Sequence, residues 1–282
     1  MDLASSRSRL AAIKPSLTDD QKSYMSEAIS LIEAAEERHI PMRLLGSTAF
    51  LLNCPNQVAL FQAMERPLTD IDLVAYLKQD KAVEQLLGEL NYVVKGGRGV
   101  TMNVFLTRRI YVHRDGGRRD VDIFYDKLDF CHPIDFRDRL DVSGYYTVPL
   151  SDLLLEKMQI VQINEKDIKD TVILLLEHEL GKDESTNIGT QRIVNLLGND
   201  WGFYYTVSTN LKKVKTYAHD IATLNSEQTV RVNQQVDKLL TLLDDMPKSR
   251  KWKLRSKVGT KKRWYNEIGE GYRECSEQVS VE

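Results

Sequence analysis

The chain has 282 residues, 42% of them hydrophobic and 28% charged, with a formal net charge of −2. That length allows one large domain or two ordinary ones, and the composition is that of a soluble globular protein. Cys54, Cys131 and Cys275 are odd in number, far apart and without metal-ligand spacing, which argues against a disulfide framework or a zinc site and fits a cytoplasmic protein. The start shows no apolar signal core, and the longest aliphatic run, Val172 to Leu176, is too short to span a bilayer, so no membrane partner is expected.

Residues 1–17 read as a polar, fraying lead. Thr18-x-x-Gln21 has the form of a capping box, and Met25, Ala28, Ile29, Ile32 and Ala35 recur with helical period until His39-Ile40-Pro41 ends the helix. Met42–Leu45 is a short strand that delivers Gly46-Ser47-Thr48 to an apolar helix start. Such a turn can seat an anion on free N–H groups, although many strand-to-helix turns hold Gly-Ser for conformational reasons alone.

Cys54 to Pro67 is an excursion before Asp70-Ile71-Asp72-Leu73-Val74. A strand over Ile71 to Tyr76 puts Asp70 and Asp72 on one side and Ile71 and Leu73 on the other. Two such carboxylates repel by roughly 4 kcal/mol at an effective dielectric near 20. A hard divalent ion such as magnesium would relieve that repulsion; two solvated carboxylates at a strand end are the ordinary alternative. Asp80 is read as capping a helix that leads to a strand at Tyr92-Val93-Val94. Gly96-Gly97-Arg98-Gly99 then forms a hairpin turn without a dinucleotide fingerprint. Thr101–Leu106 and Arg109–His113 are strands, with a turn at Asp115-Gly116-Gly117. Arg118 to Phe124 is a second strand with alternating carboxylates. From it Asp122 is the choice for a third metal carboxylate, Asp120 being able to pair with the adjacent arginines.

A domain boundary is placed near residue 150: residues 1–150 form an α+β unit with a mixed sheet, and 151–282 a helical unit. Leu150-Ser151-Asp152 opens a helix with Leu153, Leu154, Leu155, Met158, Ile160 and Val161, and Lys157 lies within it. The next helix carries Asp167 and Asp170 as surface neighbours. Lys157 can pair with a carboxylate or reach phosphate as a point charge. Val230, Val232, Val236, Leu239, Leu240, Leu242 and Leu243 make a stripe read as bundle core. Lys248 to Arg263 holds nine Lys or Arg and no acid, with Trp252 and Trp264 interleaved. It is either an electropositive face for phosphate backbones with tryptophans free to stack on bases, or a solvated helix whose tryptophans pack inward.

Gly46-Ser47 before a helix, Asp70-Ile71-Asp72 on a strand and Asp122 on a later strand together resemble the nucleotidyltransferase superfamily with the DNA-polymerase-β-like fold. Pro149-x-x-Asp152-Leu153-Leu154-Leu155-x-Lys157 and Lys166-Asp167-x-x-Asp170 bring the resemblance nearest to the AbiEii/MenT type, whose members are often toxins of toxin–antitoxin pairs. It spans roughly residues 40–180. The Gly46-to-Asp70 spacing is longer than in many relatives, which makes Cys54–Glu65 an insertion; Asn164-Glu165 stands where an arginine is often found. The resemblance implies a cytoplasmic enzyme moving an NMP from an NTP to an acceptor hydroxyl. Asp70, Asp72 and Asp122 would hold Mg2+ or Mn2+, Gly46 and Ser47 the terminal phosphates, and Lys157 would neutralise triphosphate charge. Asp167 or Asp170 would orient Lys157 or contact the nucleotide. The acceptor it implies is tRNA or another RNA, met through Lys248–Arg263, with an antitoxin protein as partner. A protein or small-molecule acceptor and a non-catalytic nucleotide-binding module are the alternatives.

Overall fold

The structure, a computed structural model, describes residues 3–95, 107–142 and 146–267. The lead is not frayed: α1 (Leu3–Ile13) forms because Ile13 is fully buried and Leu10 packs beside it on the core. Arg7 on its outer side pairs with Glu33 at 3.0 Å. Helix α2 (Asp19–Glu36) starts on the capping box, with the Thr18 hydroxyl accepting from Gln21 N and the Gln21 side chain accepting from Thr18 N. Its Met25, Ala28, Ile29, Ile32 and Ala35 are all buried, as their period requires.

The main sheet is built from β1 (Met42–Leu44), β2 (Ile71–Ala75), β3 (Tyr92–Val94), β4 (Arg108–His113) and β5 (Val121–Tyr125), in the spatial order β1-β2-β5-β4-β3. β2 and β5 pair in parallel and the other neighbours antiparallel. The two parallel strands are therefore central, which explains their near-continuous burial. Helix α3 (Gly46–Asn53) follows β1, α4 (Val58–Ala63) occupies the Cys54–Pro67 excursion, and α5 (Asp80–Glu89) links β2 to β3. Gln79, not Asp80, stands at the N-cap position of α5, and its side chain makes no cap bond. A 3-10 turn over Leu77–Gln79 leads into the helix, and Asp80 is left to pair with Arg109 at 3.0 Å. The glycine turn at Gly96–Gly99 and the strand expected over Thr101–Leu106 lie outside the described residues.

A hairpin, β6 (Lys127–Asp129) with β7 (Pro133–Asp135), follows the sheet. Helices α6 (Leu150–Met158), α7 (Glu165–Glu177), α8 (Thr190–Leu197), α9 (Trp201–Asp220), α10 (Ser226–Asp245) and α11 (Arg250–Val258) make up the rest. Strands do not end at Pro149, because β8 (Leu180–Gly181) and β9 (Ile188–Gly189) pair in parallel between α7 and α8. α6 stops at Met158, short of Ile160 and Val161. The Asn210 amide from α9 donates to the carbonyls of Met158 and Ile160 at 3.0 and 2.8 Å, satisfying groups the helix leaves open. In α10 the residues Val232, Val236, Leu239 and Leu243 are core, whereas Val230 is 54% exposed. Among the described residues no helix is long and apolar enough to cross a membrane.

Of the two readings of the basic tail, the structure takes the inward one for its tryptophans. Trp252 meets Tyr204 edge-on and Trp264 meets Tyr205 the same way. Trp264 Nε1 donates to Thr206 Oγ1 at 3.0 Å, and Asn266 N donates to the Cys131 carbonyl at 2.9 Å. The segment thereby straps the helical layer to the β6–β7 turn. Arg250, Lys251, Lys253, Lys257, Lys261, Lys262 and Arg263 remain exposed.

Candidate active site

The register of the two central strands decides the site. Asp72 stands directly beside Asp122, because β2 and β5 pair Ile71 with Val121 and Asp72 with Asp122. Ile71, Leu73, Val121 and Ile123 point into the core with no exposed surface, so both carboxylates face the other side. Asp70 lies one residue before β2, and its charge acts on Asp72 and Asp122.

Gly46 arrives on the same side. The Leu45 N–H donates to the Asp72 carbonyl at 2.9 Å, which fixes the end of β1 against β2. Gly46 then turns with φ +63°, and a Cβ built on it would lie 2.1 Å from Asp72 Oδ2. Only glycine gives both this left-handed turn and this approach. The first residues of α3, Gly46, Ser47 and Thr48, are all buried at the head of the helix, where N–H groups lack intrahelical partners.

The acids are electrostatically crowded. Burial, then the charges of Asp70 and Asp122, push the Asp72 carboxyl well above the ordinary carboxylate range, with Lys157 opposing. Burial also raises Asp122, to about 6, against the pull of Arg108. Arg108 grips Asp122 through both oxygens, Nε to Oδ1 at 3.0 Å and Nε to Oδ2 at 2.8 Å, with Nη2 also on Oδ2. The all-oxygen, mutually repelling pair Asp70 and Asp72 suits a hard divalent cation. Among the described residues, however, no three His, Cys, Asp or Glu are grouped so as to hold a metal together. Asp120, two residues before Asp122 and just ahead of β5, pairs with Lys95 at 3.6 Å rather than with the adjacent arginines. Arg119 instead reaches Asp20 and Glu27.

A second cluster adjoins the first. Lys157 Nζ lies 3.3 Å from Glu156 Oε1, 3.6 Å from Asp167 Oδ1 and 3.4 Å from Asp170 Oδ2. Burial works against its charge, but Glu156, Asp170 and Asp167 outweigh that and hold its pKa above the ordinary lysine range. Both acids of α7 thus touch Lys157, and the sequence alone did not separate them. Asp170 also receives Arg66 through two bonds of 2.8 Å. The second Asp167 oxygen and Glu156 Oε2 are buried without a hydrogen-bond partner.

Three residues of the site were not singled out from the sequence. Arg66 immediately precedes Pro67 ahead of the acidic strand, and Arg108 immediately precedes the segment read as a strand from Arg109. Glu156 accepts from Gly46 N at 3.1 Å, which ties α6 to the glycine turn; burial raises its pKa to about 7 despite Lys157. A buried charge needs a buried partner, so an acid beside Lys157 in an otherwise apolar helix was the available signal.

No family model matches the chain, and no curated protein matches it. Among solved structures it is similar to the antibiotic-resistance factor ANT(2'')-Ia, in the form determined in solution. The TM-score is 0.38 and the identity 11%, over 72% of this chain and 97% of that one.

Proposed function

We propose that the chain is a metal-dependent nucleotidyltransferase that moves an NMP from an NTP to an acceptor hydroxyl. The observation that carries this reading is the close approach of Gly46, at the head of α3, to Asp72, which stands in register with Asp122. An anion seat and an acidic centre then lie side by side, as a triphosphate with its counter-cation needs.

Gly46 and Ser47 would hold terminal phosphates through backbone N–H groups, aided by the helix dipole, with the phosphate displacing Glu156 from the Gly46 N–H. Asp70 and Asp72 would be the first ligands of Mg2+ or Mn2+, with Asp122 beside them. A divalent cation there supplies charge neutralisation for the attacking and leaving oxygens of an in-line displacement. Lys157, kept charged by its acidic neighbours, would bring positive charge toward the triphosphate, and Asp167 and Asp170 hold its amine in place. Arg66 orients Asp170 through two hydrogen bonds.

For the acceptor, the exposed cations of residues 250–263 support RNA, tRNA included, through phosphate contacts. The inward-packed tryptophans leave base stacking out of that contact. A protein or small-molecule acceptor is the second reading. A toxin role beside an antitoxin rests on the sequence resemblance alone, and growth arrest on expression, absent in Asp72→Asn, would test it.

The direct test gives the purified chain each α-labelled NTP with Mg2+ and either total RNA or total protein. Labelled RNA from the wild type and none from Asp72→Asn supports the reading with its RNA acceptor, and labelled protein moves it to the second. Transfer that survives Asp72→Asn, or no transfer to any pool, overturns it.

A further inference from the structure

Among the described residues, Asp122 is the one carboxylate of the acidic centre gripped by a guanidinium. Arg108 sits opposite Phe124 across the β4–β5 pairing, and its guanidinium lies 5.3 Å from the centre of the Phe124 ring and 5.9 Å from that of Phe130. Both partners of the ion pair are about 5% exposed. Aromatic rings and a two-oxygen grip fix the guanidinium in position. The charge of Asp70, by contrast, raises the Asp72 carboxyl, which Lys157 only partly offsets.

We infer that Arg108 is a positioning residue that takes the place of a divalent cation at Asp122. A guanidinium on both oxygens takes up lone pairs that a metal would use, and its own charge repels a second cation. The substrate-free chain therefore binds its cation through Asp70 and Asp72 alone, and Asp122 becomes a ligand only when Arg108 lets go. This rests on the proposed function, in that it assigns the acidic centre to a divalent cation.

Mn2+ binding to the full-length, NTP-free protein, followed by electron paramagnetic resonance, tests it without any turnover. In the wild type, Asp122→Asn should leave Mn2+ affinity unchanged, whereas Asp72→Asn should lower it about tenfold or more. Arg108→Gln should raise affinity about tenfold, and Arg108→Gln combined with Asp122→Asn should lose that gain. The Asp122→Asn measurement stands even if Arg108→Gln does not fold. A loss of Mn2+ affinity in Asp122→Asn overturns the inference, and so does a folded Arg108→Gln with wild-type affinity; both leave the nucleotidyltransferase reading intact. Absence of Mn2+ binding from the wild type and from Arg108→Gln alike overturns both.

Discussion

Gly46 faces Asp72 so closely that a methyl group on it would fall 2.1 Å from Asp72 Oδ2. The proposed phosphate seat and the first acid are thus one piece of geometry, set by the Leu45-to-Asp72 backbone bond. Gly46→Ala meets both a left-handed turn, at about 1–2 kcal/mol, and a clash with the carboxylate. Transfer from NTP should fall about 100-fold, with a lower melting temperature. Wild-type activity in Gly46→Ala would remove the seat from this turn.

Asp72→Asn should abolish transfer while leaving the fold as stable or more so. Its folded pKa is raised by burial, Asp70 and Asp122, so the native state holds the proton more tightly than the unfolded chain. Stability is then lost as pH rises above the ordinary carboxylate value. The variant's melting temperature relative to wild type should climb between pH 5 and pH 8. A variant less stable at pH 8 than at pH 5, relative to wild type, would contradict this.

Glu156 follows the same sign with a defined window. Its pKa rises from 4.5 to about 7, so native stability falls as pH climbs between those values, by up to about 3 kcal/mol. Glu156→Gln keeps an oxygen for Gly46 N and removes the titration. Chemical denaturation across pH 4.5–7 should show a flatter profile for the variant, and an unchanged slope would place the titration elsewhere.

Arg66 and Asp170 form a buried, two-bond ion pair. Arg66→Met leaves Asp170 facing Lys157 alone and should destabilise by about 3–5 kcal/mol. Adding Asp170→Leu should return part of that loss, since both charges then leave the interior together. A double variant no more stable than Arg66→Met would show that the pair is not coupled.

His132 is buried against Phe203, with ring centroids 4.9 Å apart, and its Nε2 lies 2.8 Å from Thr206 Oγ1. Trp264 also donates to that hydroxyl, which keeps one proton and one lone pair for either tautomer of a neutral imidazole. Burial lowers the His132 pKa from 6.5 to about 4, so the unfolded chain takes the proton first. Stability should be full above pH 6.5 and decline by about 3 kcal/mol toward pH 4. His132→Gln should lose that acid slope, whatever its stability at neutral pH.

Local chemistry was legible where one short stretch fixes the outcome. The Thr18–Gln21 box, the alternation around Asp72 and the glycine before α3 all announce themselves within a few residues, and each element formed. What stayed hidden depends on partners distant in the chain. Arg66, Arg108 and Glu156 read as ordinary charged residues until the fold buries them against Asp170, Asp122 and Gly46. The lead helix α1 was missed because, among its described side chains, only Leu10 and Ile13 are set into the core. The short β8–β9 pair has no periodicity to detect, and Trp264 gives no hint of Thr206 as its partner.

The central pairing of β2 with β5 has a kinetic consequence. Parallel neighbours need a crossover, and Asp72 and Asp122 stand fifty positions apart, with α5, β3 and β4 between them. The acid pair therefore comes together only after that whole excursion has returned to the sheet, a slow, non-local step. During refolding, the proximity of these two acids should mature later than helix content, so a reporter of the acidic centre would time the closing of the sheet rather than the formation of its helices.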